Sequence, residues 1–122
     1  MTKSRSDIAE GKGRFDQSKA LGQMYSGMYG KPSYLDALEK WEKIAEDEGV
    51  GRAEMAYRWV SWNCPLKKEN GDKIIYSASS FKQARETLEF INRGPLSEKT
   101  VKAIDDVWKT IEHEAPLDNY HR

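Results

Sequence analysis

Apolar residues recur at helical spacing from Ser33 onward and show no sustained period before it. Tyr34, Leu35, Leu38, Trp41, Ile44 and Ala45 form one stripe, since side chains three and four apart share a helix face, and Gly49 ends it. A second stripe of Ala53, Ala56, Tyr57 and Val60 stops at Cys64-Pro65, because the residue before a proline is pushed out of the α region. The spacing predicts two helices end to end. A loop over 67–72 then leads into 73–77, KIIYS, whose β-branched and aromatic residues predict the one strand of the chain. Ser80 and Gln83 have the spacing of a capping box, and Phe81, Ala84, Leu88 and Ile91 predict the buried face of the helix it starts. Gly94-Pro95 stops that helix. Ser97 opens a last one with Val101, Ile104, Val107, Trp108 and Ile111, closed by Pro116. Residues 1–32, rich in Gly, Ser and Lys, read as a loop or extended arm.

A strand cannot stand alone, because its buried N–H and C=O groups need neighbours on both edges. The segment 71–83, GDKIIYSASSFKQ, therefore predicts membership of a larger sheet. Composition agrees: of 122 residues, 38% are hydrophobic and 33% charged, a poor ratio for a self-contained core and an ordinary one for amphipathic helices outside a sheet. The 20 basic and 20 acidic residues cancel, which argues against a general polyanion binder, so neither nucleic acid nor a membrane surface is expected as partner. Cys64 is the one cysteine and can form no internal disulfide, which fits a reducing, cytoplasmic setting. The first sixteen residues hold no apolar run that reads as a secretory signal or a membrane span.

The chemistry worth weighing lies at Ser77-Ala78-Ser79-Ser80. Small residues between a strand and a helix leave room for a ligand, and the unpaired first-turn N–H groups with the helix dipole favour an anion such as a phosphate. Lys82 and Arg85 lie within reach. The ordinary alternative is that Ser79 and Ser80 merely cap the helix, with the two cations on a solvated face. Glu112-His113-Glu114 invites a metal reading, but consecutive helical residues point apart, so no metal site is expected. Trp41, Trp59, Trp62 and Trp108 sit beside aliphatics at helical spacing and read as packing residues. The acidic run at Glu46-Asp47-Glu48 reads as a solvated helix end.

Five segments together carry a resemblance: GRFD from Gly13, AEMAYRWV from Ala53, GDKIIYSASSFKQ from Gly71, RGPLSEKTV from Arg93 and the ending NYHR from Asn119. In this order they resemble the C-terminal part of aldo-keto reductases, and more narrowly the aflatoxin-aldehyde reductase branch and its fungal relatives. The implied fold is α/β, the C-terminal part of a (β/α)8 TIM barrel, mostly helical with one barrel strand at about 73–77. That strand matches the family's eighth, and the two helical pieces before it match the crossover after the seventh. A full barrel takes about 250 residues, so residues 1–122 read as a partial domain, from a truncated product, a gene fragment or an incomplete gene model.

The resemblance implies an NADPH-dependent oxidoreductase acting on a small aldehyde or ketone, with NADP(H) as cofactor and a fungal secondary-metabolite intermediate as substrate class. The family's SSxxQ segment meets the adenosine 2′-phosphate and adenine end of NADPH, which carries over to Ser79, Ser80 and Gln83. Arg14 of the GRF motif matches a further cofactor contact, and Arg122 matches an arginine that meets acidic substrate groups. Thr87 stands where the family has an adenine-contacting asparagine, Ser77 where it has glycine after the strand, and Ser26 near an expected substrate-binding arginine. The family's catalytic Asp, Tyr, Lys and His have no counterpart, since Tyr76, His113 and His121 fall elsewhere, so this chain alone is expected to be inactive. The runner-up is a non-catalytic interaction partner, with a homo-oligomer open. An autonomous helical module, with 73–77 absorbed as a loop, ranks last.

Overall fold

The computed structural model describes residues 4–115, and every regular element among them is helical. Ser4 starts α1 (Arg5–Ala9): its Oγ accepts the Asp7 N–H, and the Asp7 carboxylate accepts the Ser4 N–H at 3.0 Å. Hydrogen bonds from the Ser4 backbone and hydroxyl, joined by Lys12, lower the Asp7 pKa to about 2. Arg5 ties α1 to Asp36 and Glu39 of the third helix. A 3-10 turn at Gly13–Phe15 then packs on α2 (Ala20–Tyr29), with Phe15 edge-on to Tyr25 at 6.1 Å. A Cβ on Gly22 would lie 1.9 Å from the Asp16 carbonyl oxygen, so only glycine lets α2 approach the turn this closely. Residues 4–32 are thus not the expected arm. Local caps and one tight approach order them, and neither produces an apolar period.

The two helices expected end to end are present. Pro32 occupies the first turn of α3 (Pro32–Glu48), where its missing N–H costs nothing, and Gly49 closes the helix at φ 75°. The next helix, α4 (Arg52–Arg58), runs into a π-helical turn at Trp59–Asn63 that ends with the Cys64 N–H on the Trp59 carbonyl, directly before Pro65. Ala45, Met55, Leu96 and Ile104 form the core, with Trp41, Ile44, Val50, Trp59 and Val101 against it. Met55 is fully buried, and truncating such a side chain to alanine costs about 2–5 kcal/mol.

The expected strand at 73–77 does not form. Residues 72–78 are irregular, and 73–78 make no hydrogen bond among the described residues. Among the described residues no strand is there to pair with them, and Ile75 is 97% exposed. The face predicted for α5 (Phe81–Asn92) holds in part: Ala84 and Ile91 are half-buried, but Phe81 is 84% exposed and Leu88 about half exposed, and Thr87 is the buried residue. α5 packs on α4 with its contact face rotated toward Thr87, and the Phe81–Leu88 edge is left to solvent. α6 (Glu98–Lys109) packs on α3, with Ser97 as its N-cap. Glu112–Glu114 forms a 3-10 turn whose last carbonyl accepts from Tyr34 Oη at 2.6 Å. Trp41 and Trp59 pack as expected, whereas Trp62 and Trp108 are about half exposed. Pro116 lies outside the described residues.

Candidate functional site

The start of α5 is a small hydrogen-bonded cluster. Ser80 has extended backbone, and its Oγ accepts the Gln83 N–H at 3.2 Å, which is one half of the predicted capping box. The other half is displaced by one residue: Gln83 Oε1 accepts from the Ser79 N–H at 2.8 Å and from Ser79 Oγ at 2.9 Å. Ser79 and Gln83 therefore satisfy each other. Among the described residues, the N–H groups of Ser80, Phe81 and Lys82 have no acceptor. Three free donors at the positive end of a 12-residue helix suit an oxyanion.

Two cations flank these donors. Lys82 sits 3.9 Å from Glu86, and Arg85 sits 3.3 Å from Glu89, both pairs on an exposed face where water and salt weaken them. Neither cation is committed to a buried partner. Both are free to turn toward a phosphate at the helix start.

The other expected site residues are not gathered here. Thr87 is 3% exposed, so its side chain is not displayed beside Ser80. Arg14 lies in the Gly13–Phe15 turn, stacked over the Tyr25 ring at 5.8 Å with Nη1 3.4 Å from the Tyr25 hydroxyl. Its polar and ring contacts are with α2, none with α5. Ser26 accepts a hydrogen bond from Gln17. Arg122 lies outside the described residues.

What holds α5 in place was not anticipated. The Glu54 carboxylate, 4% exposed, takes Arg58 at 3.2 Å and Arg93 at 2.6 Å. Arg58 also donates to the carbonyls of Gly94 at 2.9 Å and Pro95 at 2.6 Å. This cluster fixes the C-terminal end of α5 to α4 and so aims its N-terminal end. The i, i+4 spacing of Glu54 and Arg58 is a legible signal; Arg93 has none. Glu48, read as a solvated end, instead accepts the Ser97 N–H at 3.0 Å, Ser97 Oγ at 2.6 Å and Thr100 Oγ1 at 2.5 Å. Burial acts to raise its pKa, but those hydrogen bonds outweigh it and hold the carboxyl below its usual range.

A groove of about 350 Å³ lies along α6 rather than α5, lined by Asn63, Leu96, Val101, Lys102, Asp106 and Lys109 among others. Two of its cations are paired within it: Lys102 and Lys109 meet Asp106 at 2.8 and 3.0 Å. Among the described residues no cluster of His, Cys, Asp or Glu could hold a metal, and no helix is long and apolar enough to cross a membrane.

Residues 1–109, which take in α1 to α6, match the Aldo/keto reductase family. The chain belongs to that family. It is 36% identical over 104 residues to the oxidoreductase sirO of Leptosphaeria maculans, a match that covers 85% of this chain and 32% of that protein. An aldo-keto reductase of Pseudocercospora fijiensis is 30% identical over 84% of this chain and 34% of its own length. The aldo-keto reductase pigE of Monascus ruber is 26% identical over 80% of this chain and 29% of its own. This aldo/keto reductase chain thus spans about a third of the length of these relatives. The family implies a TIM barrel, and a mostly helical piece with no strand among the described residues is consistent with part of one.

Proposed function

We propose that this chain forms the cofactor-phosphate end of an NADPH-dependent aldo-keto reductase that reduces an aldehyde or ketone to an alcohol. The observation that carries the reading is the trio of unpaired N–H groups at Ser80, Phe81 and Lys82, flanked by Lys82 and Arg85, in a member of this family. A 2′-phosphate has the charge and the acceptors such a site needs. The residues present fit it in part: Ser80, Lys82 and Arg85 are displayed, Ser79 and Gln83 are available once their mutual bonds exchange, and Thr87 is turned away. When bound, NADPH supplies the hydride. This chain's residues would hold the phosphate and orient the adenine end, and the general acid would come from outside these 122 residues.

Arg122 is proposed to meet acidic substrate groups, and Arg14 to join the cofactor once the barrel assembles. The relatives' names support an oxidoreductase; a fungal secondary-metabolite intermediate as substrate, and the aflatoxin-aldehyde branch, are the narrower reading proposed here. The test is calorimetric titration of the chain with NADPH and with NADH. Preference for NADPH that disappears in Lys82→Ala/Arg85→Ala supports the site; equal, mutation-insensitive affinities refute it. The chain alone should not turn over 2-carboxybenzaldehyde with NADPH.

The second reading, a non-catalytic interaction partner, is favoured by one observation, the 97% exposure of Ile75 beside the 84% exposure of Phe81.

A further inference from the structure

Contacts from the start of α3 converge on one residue, Glu114. Lys31 Nζ donates to its main-chain carbonyl at 3.2 Å and lies 3.5 Å from its carboxylate, Tyr34 Oη donates to the same carbonyl at 2.6 Å, and the Ser33 hydroxyl donates to the carboxylate. The ammonium of Lys31 also lies over the Tyr34 ring, 5.2 Å from its centre, which keeps the cation at this spot. No apolar anchor matches these contacts. Among the described residues none after Ile104 is buried, and Ile111 and Ala115 are only half-buried. The turn at Glu112–Glu114 is therefore fastened to α3 by charge and hydrogen bonds rather than by core packing, and segments held in this way open at a small fraction of the cost of global unfolding.

We propose that residues 111–115 are a pH-sensitive strap, closed over the start of α3 by the ionised Glu114 and able to open by itself, with the core intact, when that carboxylate takes a proton. The titratable groups that face Glu114 are Lys31 and Tyr34 from the start of α3 and His113, 3.9 Å away, from its own turn; among the described residues α6 supplies none. Lys31, and His113 when protonated, favour the ionised carboxylate, while Tyr34 is neutral and meets only the main-chain carbonyl. The Ser33 hydrogen bond does most to hold the carboxyl below its usual range; partial burial opposes it, and the charge of Lys31 adds to it. The closed form thus has its full support above the ordinary glutamate value, about 4.3, and loses it as pH falls through the lower folded value. Opening deprives Lys31, Ser33 and Tyr34 of a shared acceptor and frees the end of α6 from the start of α3. The strap touches none of Ser80, Lys82 and Arg85, so this inference goes beyond the cofactor reading and stands or falls separately from it.

The experiment is amide hydrogen exchange of the full 122-residue chain followed by NMR, with rates corrected for the intrinsic effect of pH. The Ala115 N–H, which donates to the Ile111 carbonyl at 3.0 Å, reports on the strap, and the Met55 N–H, which donates to the Gly51 carbonyl at 2.9 Å, reports on the core. Between about pH 6 and pH 3 the protection of Ala115 should fall about tenfold more than that of Met55. Glu114→Gln should show the lowered Ala115 protection already at the upper end of that range, with a flat profile below it and Met55 as protected as in the parent. Tyr34→Phe removes the hydroxyl that holds the main chain, so it should lower Ala115 protection by a constant factor while keeping the parent's slope. Ala115 and Met55 losing protection in step in the parent overturns the proposal. So does a Glu114→Gln variant that keeps the parent's profile, since another group would then be titrating. A Glu114→Gln variant in which Met55 also opens overturns it as well, because Glu114 would then support the core rather than close a strap.

Discussion

Arg93, at the C-terminal end of α5, reaches back to the buried Glu54 of α4 with Nη1 2.6 Å from Oε2. Their exposures differ sharply, the Glu54 side chain at 5% and that of Arg93 at 57%. Removing the buried partner strands Arg58 as well, itself 12% exposed. Glu54→Ala should therefore cost about 3–5 kcal/mol, the usual loss when one member of a buried ion cluster is deleted. Arg93→Ala should cost about 1 kcal/mol or less, since its half of the pair is open to solvent. Urea denaturation of both variants checks the ordering, and equal losses would show that the cluster is not anchored at Glu54.

Ser80 is a helix cap whatever binds beside it. Ser80→Ala should lower stability by about 1 kcal/mol in the absence of any ligand. Ser79→Ala removes only a hydroxyl that donates to Gln83, on an exposed surface, and should shift the melting temperature less. Thermal unfolding without cofactor separates the two, and a larger loss for Ser79→Ala would mean that the displaced bond to Gln83, not the cap, holds the helix start.

Glu48 links the end of α3 to the start of α6. Its folded-state pKa is depressed, so its contribution is fully present above the ordinary glutamate value, about 4.3, and is lost as pH falls through the lower folded value. In that window the unfolded state binds the proton and the folded state does not, so stability rises with pH. Glu48→Gln should flatten this acid limb between about pH 2 and 5. Urea midpoints measured across that range decide it; an unchanged slope would assign the acid limb to other carboxylates, Asp7 among them.

Gly22→Ala ought to stabilise a solvent-exposed helix by about 1 kcal/mol through propensity alone. Here the new Cβ would meet the Asp16 carbonyl at 1.9 Å, so the opposite sign is expected. α2 should detach from the Gly13–Phe15 turn, and the amides of α2 should exchange faster in the variant than in the parent.

The long helices were legible in the sequence because their causes are local. Gly49, Pro65, Ser80 and Ser97 act through their own backbone or the next turn, and each marks a boundary where it was expected. The donors at the start of α5 were legible for the same reason, since helix starts leave N–H groups unpaired in any sequence. Other outcomes needed partners distant in the chain. KIIYS has the composition of a strand, but a strand is a relation between segments, and among the described residues no second segment offers hydrogen bonds to 73–78. On α5, Thr87 with Ala84 and Ile91 turned inward while Phe81 and Leu88 of the same apolar stripe stayed in solvent, and Glu54 of α4 holds Arg93 at the helix end. α2 in the N-terminal region is seated by the Gly22–Asp16 approach, which leaves no period to read. The sequence by itself determined where α3 to α6 begin and which helix start leaves N–H groups unpaired. The tertiary structure decided which faces are buried and which site residues stand together, because burial and pairing depend on groups that sequence distance does not reveal.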